Sequence, residues 1–231
     1  MCDNDYSRLE ILIEGEPVIL NKVIIFDLDG TLLQTHYHSC FAAHETLRAL
    51  GLPDVSDALV MRLIGEPADV FLRAIAPDYS DLAAFEKLFD ANERAALQRV
   101  GKLFDDVPEL LRELISRGYQ FAICSNGSRE YVETALTTTG IRQLFSRLAC
   151  AGEYLDKATA VAAIISEQNS ALAVVVGDRV HDMEAATANG IPFIAAAYGY
   201  GGAETSTAVY RANSPREVLA YIEQIEKSFF R

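Results

Sequence analysis

Two aspartates, Asp27 and Asp29, stand either side of Leu28 at the end of the apolar run Val23-Ile24-Ile25-Phe26, with Gly30 and Thr31 behind them. Carboxylates this close repel one another. At ~4 Å and an effective dielectric of ~20 the repulsion is ~4 kcal/mol. A proton or a cation relieves it, and Mg²⁺ is the natural choice, because it takes one or two carboxylates together with phosphate oxygens. Further on, Ser125-Asn126-Gly127-Ser128 follows a second apolar run and precedes a helical stretch. A hydroxyl, an amide and exposed backbone N–H groups at a helix N-terminus can hold phosphate oxygens. A third apolar run, Ala171–Val176, ends on Gly177-Asp178, with Asp182 following, and Lys157 is the lysine between the second and third stretches.

Taken in order, these stretches resemble the four motifs of the haloacid dehalogenase-like hydrolases. Asp27-Leu28-Asp29-Gly30-Thr31 matches DxDGT, Ser125 the hydroxyl residue of the second motif, Lys157 the cation of the third, and Gly177-Asp178 with Asp182 the GDxxxD of the fourth. The resemblance implies that Asp27 is the nucleophile and Asp29 the general acid/base, with Lys157 offsetting charge. It implies a substrate phosphate held by Ser125, Asn126, Gly127 and Lys157. It implies Mg²⁺ as cofactor, at a metal site of Asp27, Asp29, Asp178 and Asp182. Many members carry Lys-Pro in the third motif, whereas Ala158 follows Lys157 here.

The activity so implied is Mg²⁺-dependent hydrolysis of a small phosphorylated metabolite, phosphoglycolate-like or a sugar phosphate, through an aspartyl-phosphate. A phosphomutase of the β-phosphoglucomutase kind shares all four motifs and stays open as the alternative. A non-catalytic regulatory or binding protein on the same fold is opposed by the retention of Asp27, Asp29, Ser125, Lys157 and Asp178.

The elements that must position these residues are legible as alternating patterns. Apolar runs of strand length at Val23–Phe26, Tyr119–Cys124, Leu148–Ala151, Ala171–Val176 and Pro192–Ala196 alternate with helical stretches at Pro108–Arg117, Arg129–Thr139, Lys157–Gln168, Asp182–Ala188 and Pro215–Phe229. That alternation predicts an α/β fold, a doubly wound parallel sheet. In such sheets ligands bind at the carboxyl ends of the strands, where the acids and Ser125 fall.

Between the first and second motifs the chain is helical only. Stretches at Ser39–Leu50, Val55–Ile64, Ala68–Ile75 and Asp81–Val100 are punctuated by Gly51, Gly65-Glu66-Pro67 and Pro77. This block resembles the inserted helical cap of the phosphoglycolate phosphatase-like branch. The expected organisation is a Rossmann-like core at 22–35 and 104–231, a cap at 36–103, and an N-terminal extension at 1–21. The alternating Leu9, Ile11 and Ile13, the turn at Glu14-Gly15-Glu16, and Val18 and Leu20 read as a β-hairpin or edge strand. Arg62 and Arg73 flank the Gly65 turn as cationic candidates for an acidic substrate. Tyr198-Gly199-Tyr200-Gly201 reads as close backbone packing near the site, and His36, His38 and His44 as hinge or surface residues rather than a metal site.

The 231 residues carry 20 Lys+Arg against 33 Asp+Glu, a net charge of −13. This opposes nucleic-acid binding through a basic surface and offers no polybasic membrane anchor. The first residues lack the basic and apolar regions of a signal peptide. No apolar run reaches membrane-spanning length. Cys2, Cys40, Cys124 and Cys150 form no CxxC pair, so a reduced, cytoplasmic setting is expected. The expected partner is the small phosphorylated substrate. Oligomeric state leaves no trace in the sequence.

Overall fold

A computed structural model describes residues 9–13 and 16–229. Its centre is strand β2 (Glu16–Phe26), flanked in one sheet by β3 (Tyr119–Cys124) and β4 (Phe145–Ala149) on one side. On the other side lie β5 (Ser170–Gly177), β6 (Phe193–Ala196) and β7 (Tyr210–Ala212). These six strands run parallel, in the order β4-β3-β2-β5-β6-β7. Strand β1 (Leu9–Ile13) pairs antiparallel with Glu16–Leu20 of β2, in the stretch where a β-hairpin or edge strand was expected.

Residues on β2 alternate between two buried layers. Ile24 and Phe26 join one core, in which the Phe26 and Phe121 rings meet edge to face at 5.6 Å. Val23 and Ile25 join the other, against Val161, Ile164 and Ala185. The first layer is closed by α5 (Val107–Ser116), α6 (Arg129–Thr138) and α9 (Pro215–Phe229). The second is closed by α7 (Lys157–Glu167) and α8 (Val180–Ala188).

The chain leaves the sheet after Leu33 and forms α1 (His36–Ala49), α2 (Asp57–Leu63), α3 (Ala68–Ile75) and α4 (Leu82–Val100). These helices bury a core of their own around Leu47, Val60, Phe71, Leu72, Phe85 and Phe89. Exit and return run side by side. The Gln34 N–H donates to Lys102 O at 2.8 Å, and the Phe104 N–H to Leu32 O at 2.9 Å.

Element limits differ from the sequence expectation in three informative places. Helix α1 begins at His36, not Ser39, because its first turn is polar and gives no apolar signal. Strand β4 begins at Phe145, before the expected Leu148, with Ser146 exposed between them. Strand β7 was not anticipated: it is three residues long, and its Tyr210 and Arg211 are only partly buried. Among the described residues no helix is long and apolar enough to cross a membrane.

Candidate active site

Strands β2, β3 and β5 deliver three loops to one end of the sheet. The Asp27 N–H donates to Val176 O at 2.9 Å, which registers the first acid against the end of β5. Asp156 caps α7, accepting from the Thr159 N–H at 2.7 Å, and so fixes Lys157 as the first residue of that helix. The Lys157 side chain then turns into the core. Its Nζ donates to Asp27 Oδ1 at 2.7 Å and to Asp182 Oδ1 at 2.6 Å, with all three side chains buried. Asp182 also accepts from the Arg179 N–H at 3.1 Å and closes the first turn of α8. Asp182 thus caps the first turn of α8 and also meets the Lys157 ammonium.

Asp178 is held from the opposite side. Its Oδ2 accepts from the Tyr200 N–H at 2.6 Å and the Gly201 N–H at 3.0 Å. Only glycine suits Gly201, since a Cβ there would lie 1.9 Å from Asp178 O. Gly30 has φ +78°, and a Cβ there would lie 2.4 Å from Asp178 Oδ2. The close packing read from the Tyr198–Gly201 stretch is thus realised around one carboxylate.

Two oxygens are left over. Asp27 Oδ2 and Asp178 Oδ1 are buried and accept no hydrogen bond among the described residues. Asp27, Asp178 and Asp182 each offer an oxygen within 4.8 Å of the others. Burial pushes Asp27 well above the usual carboxylate range; Lys157 opposes the shift, while Asp182, Asp178 and Asp29 add to it. Burial and Asp182 push Asp178 up to about 7. Burial would lower the Lys157 ammonium, but Asp182 and Asp27 override it and hold it well above the ordinary range. Buried carboxylates with orphaned oxygens are what a hard, oxygen-seeking cation needs. The donor set therefore fits such an ion.

Asp29 stands apart from that group. Its carboxylate, expected among the metal ligands, is not one of the three clustered acids. Its Oδ1 instead accepts from the Thr35 hydroxyl and the Tyr131 hydroxyl, each at 2.6 Å. Burial raises its pKa despite those two donors and Lys157. Tyr131 spends its proton on Asp29, so at 3.0 Å His38 must donate to it through Nε2. His38 Nδ1 is buried without a partner among the described residues, and burial lowers the imidazole pKa to about 3. A neutral ring protonated on Nε2 satisfies both facts.

The remaining expected residues divide. Ser125 is buried, and its Oγ accepts from the Gly127 N–H at 3.0 Å, so the loop curls over its own hydroxyl. It opens with Lys157 onto a cavity of about 690 Å³. The Asn126 side chain faces the helical insertion and donates to Gly65 O at 2.9 Å. Arg62 and Arg73 are exposed and line neither this cavity nor the smaller one beside Asp29. Arg62 contributes only its carbonyl, to Arg179. The histidines form no shared site. His36 Nδ1 meets the Tyr200 hydroxyl at 2.7 Å, and His44 bridges Asp54 and Asp57 at 2.5 and 2.6 Å.

Sequence reasoning missed Thr35, which lies in an unpatterned linker, and Tyr131, whose partner Asp29 lies 102 residues away along the chain. It also missed Arg179. This side chain is 2% exposed, donates to Arg62 O at 3.0 Å and Ile64 O at 2.8 Å, and pairs with Glu66 and, at 3.1 Å, Glu204. It lies inside the Gly177–Asp182 motif at a position the motif leaves open. The only signal in the sequence was an arginine directly after Asp178, and its burial is seen in the structure alone.

Comparison with known proteins gives a consistent picture. The family profile described as haloacid dehalogenase-like hydrolase matches residues 24–196. A phosphoglycolate phosphatase of Vibrio parahaemolyticus is 31% identical over 218 residues, covering 87% of this chain and 96% of that protein. The tyrosine-protein kinase PtkA of Mycobacterium tuberculosis is 30% identical over 198 residues, 81% of this chain and 67% of that protein. A solved haloacid dehalogenase-like hydrolase from Streptococcus pneumoniae superposes with a TM-score of 0.76 at 25% identity, over 87% of this chain and 98% of that one. Sequence, fold and the arrangement of the buried acids agree: the chain belongs to the haloacid dehalogenase-like hydrolases.

Proposed function

We propose that the protein is a Mg²⁺-dependent phosphatase that hydrolyses a small phosphorylated metabolite through an aspartyl-phosphate on Asp27. The observation that carries this reading is the division of labour between the two acids. Asp27 Oδ1 is taken by Lys157 and its Oδ2 has no hydrogen-bond partner among the described residues, whereas Asp29 is held apart by Thr35 and Tyr131. Several relatives are named phosphoglycolate phosphatases, which supports a phosphomonoester as substrate.

Asp27 attacks phosphorus in line, and the ester oxygen leaves with the proton of Asp29. Burial raises the pKa of Asp29 and so favours the protonated form this step requires. The same carboxylate then takes a proton from the water that cleaves the acyl phosphate. Covalent catalysis splits one difficult displacement into two easier ones. Ser125, the N–H groups of the Asn126–Gly127 loop and Lys157 hold the phosphoryl oxygens as charge develops. Asp27 and Asp178 would hold Mg²⁺, with Asp182 orienting the group. Bound there, the ion neutralises charge on the transferring phosphoryl group. Helices α1–α4 act as a cap that excludes bulk water.

The test separates the two aspartates. Asp27→Asn should abolish turnover, because an amide cannot form the acyl phosphate. Asp29→Asn should lose ~10²–10⁴-fold on alkyl phosphates. On an aryl phosphate, whose leaving group needs little protonation, it should accumulate a labile phosphoryl group on Asp27, seen as a gain of ~80 Da. Wild-type turnover by Asp27→Asn would remove the mechanism. A wild-type protein that passes the phosphoryl group to a sugar phosphate or a protein hydroxyl, and releases no phosphate, would be a transferase instead.

A further inference from the structure

A second, smaller cavity of about 130 Å³ lies between the cap and the sheet. One wall belongs to the catalytic machinery and includes Asp29, Gly127 and Tyr131. It therefore adjoins the carboxyl that protonates the leaving oxygen, on the side where the alcohol part of a phosphomonoester must lie. The facing wall comes from the cap. It combines apolar side chains, Leu63, Ile64, Phe71 and Phe89 among them, with the carboxyls of Glu66, Glu86, Asp90 and Glu93. Among the described residues no lysine or arginine lines it.

The phosphate side is the larger cavity, lined by Lys157 and the Ser125 loop together with the carboxyls of Asp69, Glu86, Asp156 and Glu184. On the leaving-group side, Glu66 is matched by Arg179, and Asp90 by Arg94 at 3.0 Å. Glu93 has a hydroxyl as partner, that of Ser39, and burial pushes its carboxyl up to about 8. Glu86 has no ion pair among the described residues and borders both cavities. A leaving group ending in a carboxylate would meet apolar walls and further carboxyls, with no cation to pair with. Buried or half-buried charge without a partner is costly. An ammonium on a short carbon chain meets the opposite situation. Its methylenes lie against Phe71 and Phe89, its charge finds the Glu86 carboxylate, and its N–H groups reach the carboxyl of Glu93, whose ionised form a neighbouring cation favours, with aromatic faces adding to the attraction.

We infer that the substrate is the phosphate monoester of an amino alcohol, its ammonium lodged between the cap helices and its phosphate at Asp27. The inference rests on the phosphatase reading above. It also distinguishes this chain from the substrate named for several of its relatives. Hydrolysis would release inorganic phosphate and the free amino alcohol, with water supplying the oxygen to phosphorus and the proton to the alcohol.

Three esters of nearly equal size test it: O-phosphoethanolamine, propyl phosphate and phosphoglycolate, ending in an ammonium, a methyl and a carboxylate. With Mg²⁺ at neutral pH, kcat/KM should fall in that order by about tenfold at each step, the scale of one charge contact near a protein surface. The double variant Glu86→Gln/Glu93→Gln should lose about tenfold on O-phosphoethanolamine and much less on propyl phosphate. Glu86→Lys should raise phosphoglycolate relative to O-phosphoethanolamine. Propyl phosphate or phosphoglycolate turned over as well as the amine ester would overturn the inference. An aryl phosphate, p-nitrophenyl phosphate, tells the two failures apart. If it is hydrolysed while the series shows no preference for the amine, the substrate class alone is wrong. If no ester is hydrolysed, the phosphatase reading falls and the inference with it.

Discussion

The floor of the cleft and its roof are built on different principles. On the floor, Lys157 lies 2.7 Å from Asp27 and 2.6 Å from Asp182, and two backbone N–H groups hold Asp178. Each of these residues sits at the end of a strand or in the first turn of a helix, so the sheet itself sets their spacing. The roof is held by longer reaches from side chain to backbone. Arg179 grips the carbonyls of Arg62 and Ile64, and Asn126 grips that of Gly65. Its charges answer to how the cap docks rather than to strand register. On the function proposed here, the chemistry falls to the floor, whose spacing the sheet sets, and discrimination to the roof, whose position depends on these docking contacts.

The largest effect should come from the floor. Asp178→Asn removes one of three clustered carboxyls and leaves the fold's hydrogen bonds to Tyr200 and Gly201 available to the amide oxygen. Turnover at fixed Mg²⁺ should fall by ~100-fold or more, the scale on which even residues behind a metal's ligands matter. The wild-type melting temperature should climb as Mg²⁺ is added, because an ion that binds only the folded state stabilises it. The variant should show little of that climb. Equal Mg²⁺-dependent climbs in both proteins would show that Asp178 does not hold the ion.

The same contrast governs what could be read from the sequence. Strand β2 was legible because its apolar run is buried on both faces and stops on an acid. Asp27, Lys157, Asp178 and Asp182 were legible as candidates through the resemblance to the family's motifs, and the ends of β2 and β5 with the first turns of α7 and α8 bring them together. Tyr131 was not. Its bond to Asp29 spans 102 residues of sequence and depends on where α6 crosses the cleft. Asp29 was expected with the metal acids because it is next but one to Asp27. Yet the sharp turn at Gly30, and the donors Thr35 and Tyr131, turn its carboxyl elsewhere. Arg62 and Arg73 looked like substrate contacts because they flank the Gly65 turn, but sequence spacing does not say which face of a short helix meets the core. Strand β7, three residues at the sheet edge with only Ala212 fully buried, carries no pattern of its own.

An intermediate effect should come from the join between floor and roof. Arg179 is nearly inaccessible, and removing one member of a buried pair costs about 3–5 kcal/mol because the other charge is left uncompensated. Arg179→Ala should therefore destabilise the protein and, by loosening the cap turn, lower kcat/KM by about tenfold on the preferred alkyl phosphate. Arg179→Lys should rescue little, since an ammonium cannot reproduce the fork that serves two carbonyls and Glu66 at once. Glu66→Gln combined with Arg179→Ala should cost less than the sum of the two changes. A double-mutant cycle with no coupling would mean that the pair does not hold the cap.

The smallest effect tests the roof alone. Burial pushes the Glu93 carboxyl up to about 8; the Ser39 hydroxyl opposes the shift, and Asp29 and Asp90 add to it. In the unfolded chain a glutamate titrates near ~4.3. Between those values the folded protein holds a proton that the unfolded chain has released. Stability therefore falls as pH rises through this window, and the loss is complete above the folded value. Glu93→Gln carries no such proton. Relative to wild type its melting temperature should rise steadily from about pH 5 to about pH 8 and then level off. Glu93 is only partly buried, so solvent limits the difference to ~1 kcal/mol, or ~2–4 °C for a chain of this size. Melting curves that stay parallel across that range would place the titration of Glu93 at the ordinary value. The roof would then carry a full charge on that carboxyl before any ligand arrives.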